Sequence, residues 1–262
     1  IQPCHHPLPD PIVTAHLSMT RAQTRTHFHS SRLLHRLADL SVLDVAEPAT
    51  AFAEKLGLWV SFTDAITLSA VHNTSSVSPA AHALAAKPAT GAALGRVLAR
   101  TRDELVHSIT GSASSKGGKK GIELPMPEAD ASLEPAYEPY RRYYLAQQRE
   151  MELKLPPLRT HVRGVLGKAS PALRKLAELD AALDGILGER EGKLLATVPV
   201  LLEKRFRQLH ASHRQKLMAT QQADSPDLWM QAGGWLADFC REMQSVLLAE
   251  LDVRLQPSLG LV

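Results

Sequence analysis

Apolar residues recur every three or four positions along most of this chain, which is the period of an amphipathic α-helix. Within the first 110 residues, three segments keep this period, at 30–40, 49–71 and 91–109. Pro48 and Pro88 interrupt the pattern, because proline cannot donate the hydrogen bond that a helix interior requires. The N-terminal part therefore predicts a small helical module.

The second half shows longer helical patterns, and prolines mark their ends. Pro156–Pro157 predicts a helix end or a sharp change of direction, whereas Ser170–Pro171 predicts a capped helix start. Pro199 predicts a kink or a restart within the longest pattern. Ser225–Pro226 repeats the signature of a helix start, and Gln256–Pro257 predicts the end of the last helix.

No stretch alternates apolar and polar residues over the length of a strand, so we predict an all-α fold. Residues 111–136 lack a helical period and are rich in glycine, serine and proline, which is typical of a flexible linker. This linker separates an N-terminal helical module, 19–110, from a C-terminal bundle of long amphipathic helices, 137–262. Residues 1–18 are predicted to be a disordered or non-native extension.

The composition supports a folded protein. A hydrophobic content of 44% is enough for a core, and only 5% of the residues are aromatic. Cys4 and Cys240 lie at opposite ends of the chain without metal-ligand spacing, which suits a reducing compartment. No apolar run reaches the roughly 18 residues of a membrane span. We therefore expect a cytoplasmic protein without membrane insertion.

All four tyrosines fall within eight residues, next to two arginines. At helical spacing Tyr137, Tyr140 and Tyr144 share one face, and Arg141 and Arg142 flank them. Such a cluster can pack into the core, anchor a protein partner, or stack on nucleic acid bases. The sequence leaves these three interpretations open, and we take the cluster as a candidate binding surface.

Basic residues are concentrated between Lys204 and Lys216, a segment with five lysines and arginines and no acid. Lys204, Arg207 and Arg214 fall on one side of the predicted helix, away from its leucines. The final segment, 227–262, has five acids against two arginines. The basic helix therefore either complements the acidic one inside the bundle or presents a surface for DNA, RNA or an acidic partner.

The sequence contains no phosphate-binding glycine loop, no HExxH and no GxSxG, so we nominate no catalytic residue, no cofactor and no metal. His210 and His213 could face one ion, but a histidine packed in the core is commoner at such positions. Asp64 is the only charged residue between Lys55 and His72. It is either a possible functional acid or part of a helix cap.

Four blocks carry a family resemblance: WVSFTDAITLSAVHN, KASPALRKLAELDAAL, LLATVPVLLEKRFRQL and LLAELDVRLQPSLGL. Over residues 19–262 the chain resembles a proteobacterial domain-of-unknown-function family. Members of that family are similar to the ZorF-type accessory subunit of type III Zorya anti-phage defence. None of the blocks is a known catalytic motif.

The resemblance implies an operon that also encodes a membrane motor complex. One of its proteins resembles MotA/TolQ/ExbB-type ion channels, another resembles OmpA-like peptidoglycan-binding proteins, and a second accessory subunit accompanies them. We therefore expect a non-enzymatic cytoplasmic accessory subunit that binds these protein partners. The alternatives are a nucleic-acid-binding protein that uses its basic helical surface on DNA, and an unrecognised nuclease-type effector.

Overall fold

The computed structural model describes residues 32–40, 60–73, 88–111, 122–127 and 135–262. These residues fold into α-helices and their connecting segments, and no β-strand occurs among them, which confirms the all-α prediction. Within these ranges, no helix is both long enough and apolar enough to cross a membrane. The predicted N-terminal extension and most of the predicted linker lie outside the described residues.

The helices of the C-terminal part are joined by short connections. In chain order the described helices are α1 (Arg32–Asp39), α2 (Phe62–Asn73), α3 (Pro88–Thr110), α4 (Glu138–Ala169), α5 (Pro171–Leu195), α6 (Val198–Thr220), α7 (Pro226–Trp229) and α8 (Trp235–Gly260). Helices α1, α3, α4, α6 and α7 all pack against α8, which is the centre of the bundle. Helix α5 packs against α4, and α2 lies on α5.

Helix α4 continues through Pro156–Pro157, so the predicted break at this pair is wrong. The two carbonyl groups that lose their hydrogen-bond donors belong to Glu152 and Leu153. Both residues are exposed, so water can replace the missing N–H groups. Leu155 and Leu158 are buried on either side of the prolines and hold this part of the helix on the core.

Helix α8 likewise passes Pro257 and ends at Gly260, so the predicted helix end at Gln256–Pro257 is also wrong. If the helix continues past Pro257, it loses one backbone hydrogen bond. If it ended there, the packing of the last turn would be lost, and that loss is larger. The buried side chains of Leu255 and Leu261 flank the proline and keep the last turn against the protein.

Two other helix boundaries follow their local signals. The Oγ atom of Ser170 accepts the backbone N–H of Leu173 at 3.2 Å, and a proline occupies the first turn of α5. Helix α5 ends at Leu195 and α6 begins at Val198, which confirms the predicted restart at Pro199. The Ser170 cap and Pro199 each act within one helical turn, so the sequence alone is enough to predict these two boundaries.

The larger of two hydrophobic clusters among the described residues contains side chains from both predicted modules. Leu33 and Leu37 of α1 and Leu105 and Ile109 of α3 belong to the same buried cluster as side chains of α4, α6 and α8. In the part of the chain that the structure describes, the core therefore crosses the position of the predicted boundary at 111–136. That the two modules fold as separate units stays a prediction.

Candidate functional site

The tyrosines of the predicted cluster lie inside the protein. Tyr140 and Tyr144 are 4% and 0% exposed. The rings of Tyr137 and Tyr140 pack against Phe206 and Phe239, with centroid separations between 5.5 and 6.2 Å. Because these rings are already packed in the core, they have no free face on which nucleic acid bases could stack.

The tyrosine hydroxyls fix the position of α4 against its neighbours. Tyr143 donates to the carbonyl of Ile109 in α3 at 2.8 Å, and Tyr144 donates to Oε2 of Glu250 in α8 at 2.7 Å. Tyr137 donates to a backbone carbonyl in the first turn of α6 at 2.6 Å. Burial raises the pKa of all three hydroxyls, so they remain protonated donors at neutral pH.

The two arginines of the cluster lie on the outside of α4. Arg141 pairs with Glu138, one turn earlier, at 3.5 Å. Arg142 is exposed and has no ion-pair partner among the described residues. Of the predicted cluster, the guanidinium groups are therefore the part that can reach a ligand, while the tyrosine rings support them from within.

A groove beside α6 brings Tyr137 together with two of the predicted basic residues. Its volume is 280 Å³, and we call it the α6 groove. It is lined by Pro135, Tyr137, Glu203, Phe206, Arg207, His210, Ala211 and Arg214. Tyr137 and Phe206 are 9% and 3% exposed and form its apolar floor, and the arginines form its rim.

The rim of the α6 groove has more positive than negative side chains. Arg207 pairs with Glu203, one turn earlier on the same helix. Arg214 and, on the same helix face, Lys204 are exposed, and neither has an ion-pair partner in the described part of the chain. Arg214 is thus an uncompensated cation at a concave apolar floor, and Lys204 adds a second one on the same helix face, which is an arrangement suited to an anionic ligand.

The acidic final helix compensates a different part of the basic segment. Arg205 reaches α8 and donates to Glu242 through hydrogen bonds of 2.8 and 2.6 Å. Lys204, Arg207 and Arg214 form no such pair with α8 among the described residues. Internal charge complementation, one of the two interpretations of the basic segment, therefore accounts for Arg205 but not for the groove.

Asp64 lies in a helix cap. Its Oδ2 atom accepts hydrogen bonds from the hydroxyl and the backbone N–H of Ser61 at 2.7 and 2.9 Å. In return, the Ser61 hydroxyl accepts the backbone N–H of Asp64 at 3.2 Å. This reciprocal pair is a capping box at the start of α2. The side-chain and backbone hydrogen bonds from Ser61 lower the pKa of the Asp64 carboxyl, which holds it in the charged form that a cap requires.

The two histidines of α6 pack against an indole ring. The rings of His210 and His213 lie 5.2 and 6.2 Å from that of Trp235. Nε2 of His213 also lies 3.0 Å from Oδ1 of Asp224, which accepts the indole N–H of Trp229 at 2.8 Å. Within the described ranges, no group of three or more potential metal ligands comes together. The contacts are those of histidines at the edge of a core.

Sequence reasoning missed a charged network in the centre of the bundle. Glu250 is 0% exposed, and its carboxylate accepts hydrogen bonds from Tyr144 at 2.7 Å and from Gln148 at 3.0 Å. Arg254, one turn further along α8, pairs with it at 2.8 Å. The helical phase was an available signal, because Glu250 continues the apolar stripe that contains Met243.

A second network that the sequence did not reveal joins α4 to α5. Arg159 and Arg163 each donate to both Asp180 and Asp184, at distances between 2.5 and 2.9 Å. The arginine side chains are 14% and 17% exposed, so the network lies largely out of solvent. Paired guanidinium and carboxylate groups in this geometry fix the relative position of two helices.

Acid should weaken this network. Burial alone would raise the pKa of the Asp180 carboxyl, but the hydrogen bonds from Arg159 and Arg163 outweigh burial and hold its pKa below the ordinary value. Such a carboxyl stabilises the fold above its unfolded pKa of about 3.9, and this contribution is lost as the pH falls through the folded pKa. We expect Asp180→Asn to lower the free energy of unfolding at pH 7 and to flatten its decline in acid.

Urea unfolding followed by circular dichroism, at a series of pH values between about 6 and 2, measures this effect. Asp227→Asn, a change of the same kind at an exposed residue, is the control and should leave the decline unchanged. An acid decline of equal steepness in Asp180→Asn and the unsubstituted protein would assign the acid sensitivity to other carboxyls.

Both networks border a cleft of 260 Å³ between α4, α5 and α8. Its walls include Arg159 and Arg254, whose guanidinium groups are held by carboxylates. Burial raises the pKa of Glu191, which also lines the cleft. Because its arginines are already paired with carboxylates, the cleft is less suited to an anionic ligand than the α6 groove.

The structure thus defines an all-α helical bundle. Ion-pair networks join its helices, and the basic α6 groove lies on its surface. Residues 19–262 match the family described as protein of unknown function (DUF3348), and the chain belongs to that family. The matched range includes every residue that the structure describes. No curated protein and no solved structure matches the chain.

Proposed function

We propose that this protein is a non-enzymatic cytoplasmic accessory subunit that acts by binding a protein partner, and that the α6 groove is its docking site. The observation that carries the proposal is the uncompensated Arg214 beside the apolar floor of Tyr137 and Phe206, with a second uncompensated cation, Lys204, exposed on the same face of α6. Aromatic and arginine side chains around a concavity are typical of the residues that dominate protein interfaces.

The resemblance described for residues 19–262 gives this proposal its biological setting. It suggests that the partners are the second accessory subunit or the membrane motor complex of a Zorya-type anti-phage defence system. Membership of the DUF3348 family is compatible with this setting but does not by itself indicate it. The genes beside the one that encodes this chain are the natural place to look for the partner.

Nucleic acid binding is the second candidate, because Lys204, Arg214 and Arg142 are exposed cations without ion-pair partners among the described residues. Contacts of this kind are directed to the phosphate backbone and weaken steeply with salt. The buried tyrosine rings argue against base stacking, which is why we rank protein binding first. No specific observation favours a nuclease-type effector.

Co-purification tests the proposal. The tagged chain, expressed together with the products of its neighbouring genes, should retain at least one of them, with and without nuclease treatment of the lysate. The double variant Lys204→Glu/Arg214→Glu should lose that partner, because it reverses both uncompensated charges. Arg96→Glu/Lys168→Glu, an equal charge change on exposed residues outside the groove, should retain it.

Two results would contradict the proposal. If no neighbouring product is retained under any condition, the chain is not a stable subunit of such a complex. If retention depends on intact nucleic acid, the nucleic-acid-binding alternative replaces it.

A further inference from the structure

Resting on the proposed function, we infer that the α6 groove takes a short extended segment of the partner in which an apolar side chain lies between two acidic ones. The acidic side chains pair with Arg207 and Arg214, and the apolar side chain occupies the groove between them. Three features of the groove carry this inference: the spacing of its arginines, the residue between them, and its size.

The spacing of the arginines sets the spacing of the acids. Arg207 and Arg214 are seven residues apart on one helix, which places their Cα atoms roughly 10 Å apart along its axis. In an extended segment, side chains on the same face at i and i+4 are about 13 Å apart, and the residue at i+2 lies between them on that face. Since a guanidinium can move several ångströms about its Cα atom, acids at i and i+4 match this pair.

A small residue leaves room between the two arginines. Ala211 lies on the same side of α6 between Arg207 and Arg214, and all three line the groove. Because its side chain is only a methyl group, the space above Tyr137 and Phe206 stays open, whereas a larger side chain would fill it. The apolar residue at i+2 of the partner segment is therefore placed over Ala211 and against the floor.

The size of the groove favours an extended segment over a helix. A volume of 280 Å³ is below the usual range of about 300–1,000 Å³ for ligand pockets, and a helix with side chains is about 10–12 Å wide. Arg207 must exchange Glu203 for the partner's carboxylate, which costs little because Arg207 is exposed and ion pairs one turn apart on a helix are weak. Arg214 has no described ion-pair partner to give up.

A protein segment fits these features better than a nucleic acid strand. A strand needs exposed ring faces for its bases and a row of cations for its phosphates. The rings of Tyr137 and Phe206 pack against each other with centroids 5.5 Å apart, and both are buried. Carboxylates also match the planar fork of a guanidinium through two parallel hydrogen bonds.

Fluorescence anisotropy with the full chain tests the inference. The probe is a labelled peptide, Gly-Ser-Glu-Ser-Leu-Ser-Glu-Ser-Gly, and the comparison probes replace both glutamates by glutamine or the leucine by serine. We expect the first peptide to bind and each comparison peptide to bind at least about tenfold more weakly. Affinity for the first peptide should fall as salt rises from about 50 mM to about 300 mM.

Variants of the protein locate the binding site. Arg214→Glu and Ala211→Trp should each weaken peptide binding at least about tenfold, the first by charge reversal and the second by filling the groove. Ala219→Trp, an exposed alanine on the same helix outside the groove, is the matched control and should bind as the unsubstituted protein does. Circular dichroism spectra of all variants establish that they are folded.

Three outcomes would overturn the inference: no peptide binding at about 1 mM, equal affinity for the glutamine peptide, or undiminished binding by Ala211→Trp. Tighter binding of a DNA strand that depends on Arg214 would also overturn it and favour nucleic acid. If the peptide fails while the Lys204→Glu/Arg214→Glu variant still loses its co-purifying partner, the proposed function stands and only the acidic-segment inference falls.

Discussion

Replacing Phe206 by alanine should lower the free energy of unfolding by about 3 to 5 kcal/mol, the usual cost of truncating a buried phenylalanine. Phe206 is 3% exposed and is the ring that α6 contributes to the aromatic core. Its ring centroid lies 5.1 Å from that of Phe239 and 5.2 Å from that of Trp235. Alanine would leave a cavity between α4, α6 and α8 and would also remove these edge-to-face contacts.

Urea or guanidinium unfolding followed by far-ultraviolet circular dichroism measures the loss. Phe62→Ala is the matched control, because Phe62 is 83% exposed in the first turn of α2 and should change the free energy of unfolding by less than about 0.5 kcal/mol. Phe206→Leu keeps most of the apolar volume and should lose less than half as much as Phe206→Ala. Equal losses for Phe62→Ala and Phe206→Ala would contradict the packing of α6 in the structure.

The sequence predicts helix starts well, because their signals are local. Ser170 caps the turn that begins beside it, and the restart at Pro199 needs only the missing N–H of proline. The same rule failed at Pro156–Pro157 and at Pro257, where the helices continue. There the outcome depends on whether the freed carbonyls face water and on how firmly the flanking residues are packed, and neither can be read from a local pattern.

The tyrosine cluster shows a different limit. Helical spacing places Tyr140 and Tyr144 on one face of α4, with Tyr137 at its N-cap, but the pattern does not tell whether that face lies inward or outward. The decision comes from the other helices, which supply aromatic rings and hydroxyl acceptors around them. Tyrosine has an apolar ring and one polar atom, so it suits a core as well as an interface. The residue type therefore does not show whether this face is buried or exposed.

The charged residues of the α6 groove could be predicted from the sequence, but the shape of the groove could not. Lys204, Arg207 and Arg214 could be assigned to one face by counting along the helix. That Tyr137 would lie beside them, and that Ala211 would open the space between the arginines, depends on how α4 docks against α6. Such docking brings together residues far apart in the chain, which periodicity alone does not predict.

Replacing Arg254 by methionine should lower the free energy of unfolding by roughly 3 kcal/mol. The substitution leaves the buried carboxylate of Glu250 without its cation. Glu250 is 0% exposed, and Arg254 pairs with it at 2.8 Å. Tyr144 and Gln148 still donate hydrogen bonds to the carboxylate, so the loss falls short of that for a bare buried charge.

Denaturant unfolding at neutral pH, by the same method as for Phe206→Ala, measures this loss. Arg241→Met removes an arginine of the same helix from an exposed pair with Asp238 and should cost less than about 0.5 kcal/mol. Adding Glu250→Gln to Arg254→Met should recover part of the stability, since a neutral amide can still accept the hydroxyl of Tyr144 without a buried charge. A double variant less stable than Arg254→Met would show that the negative charge of Glu250 is not what Arg254 compensates.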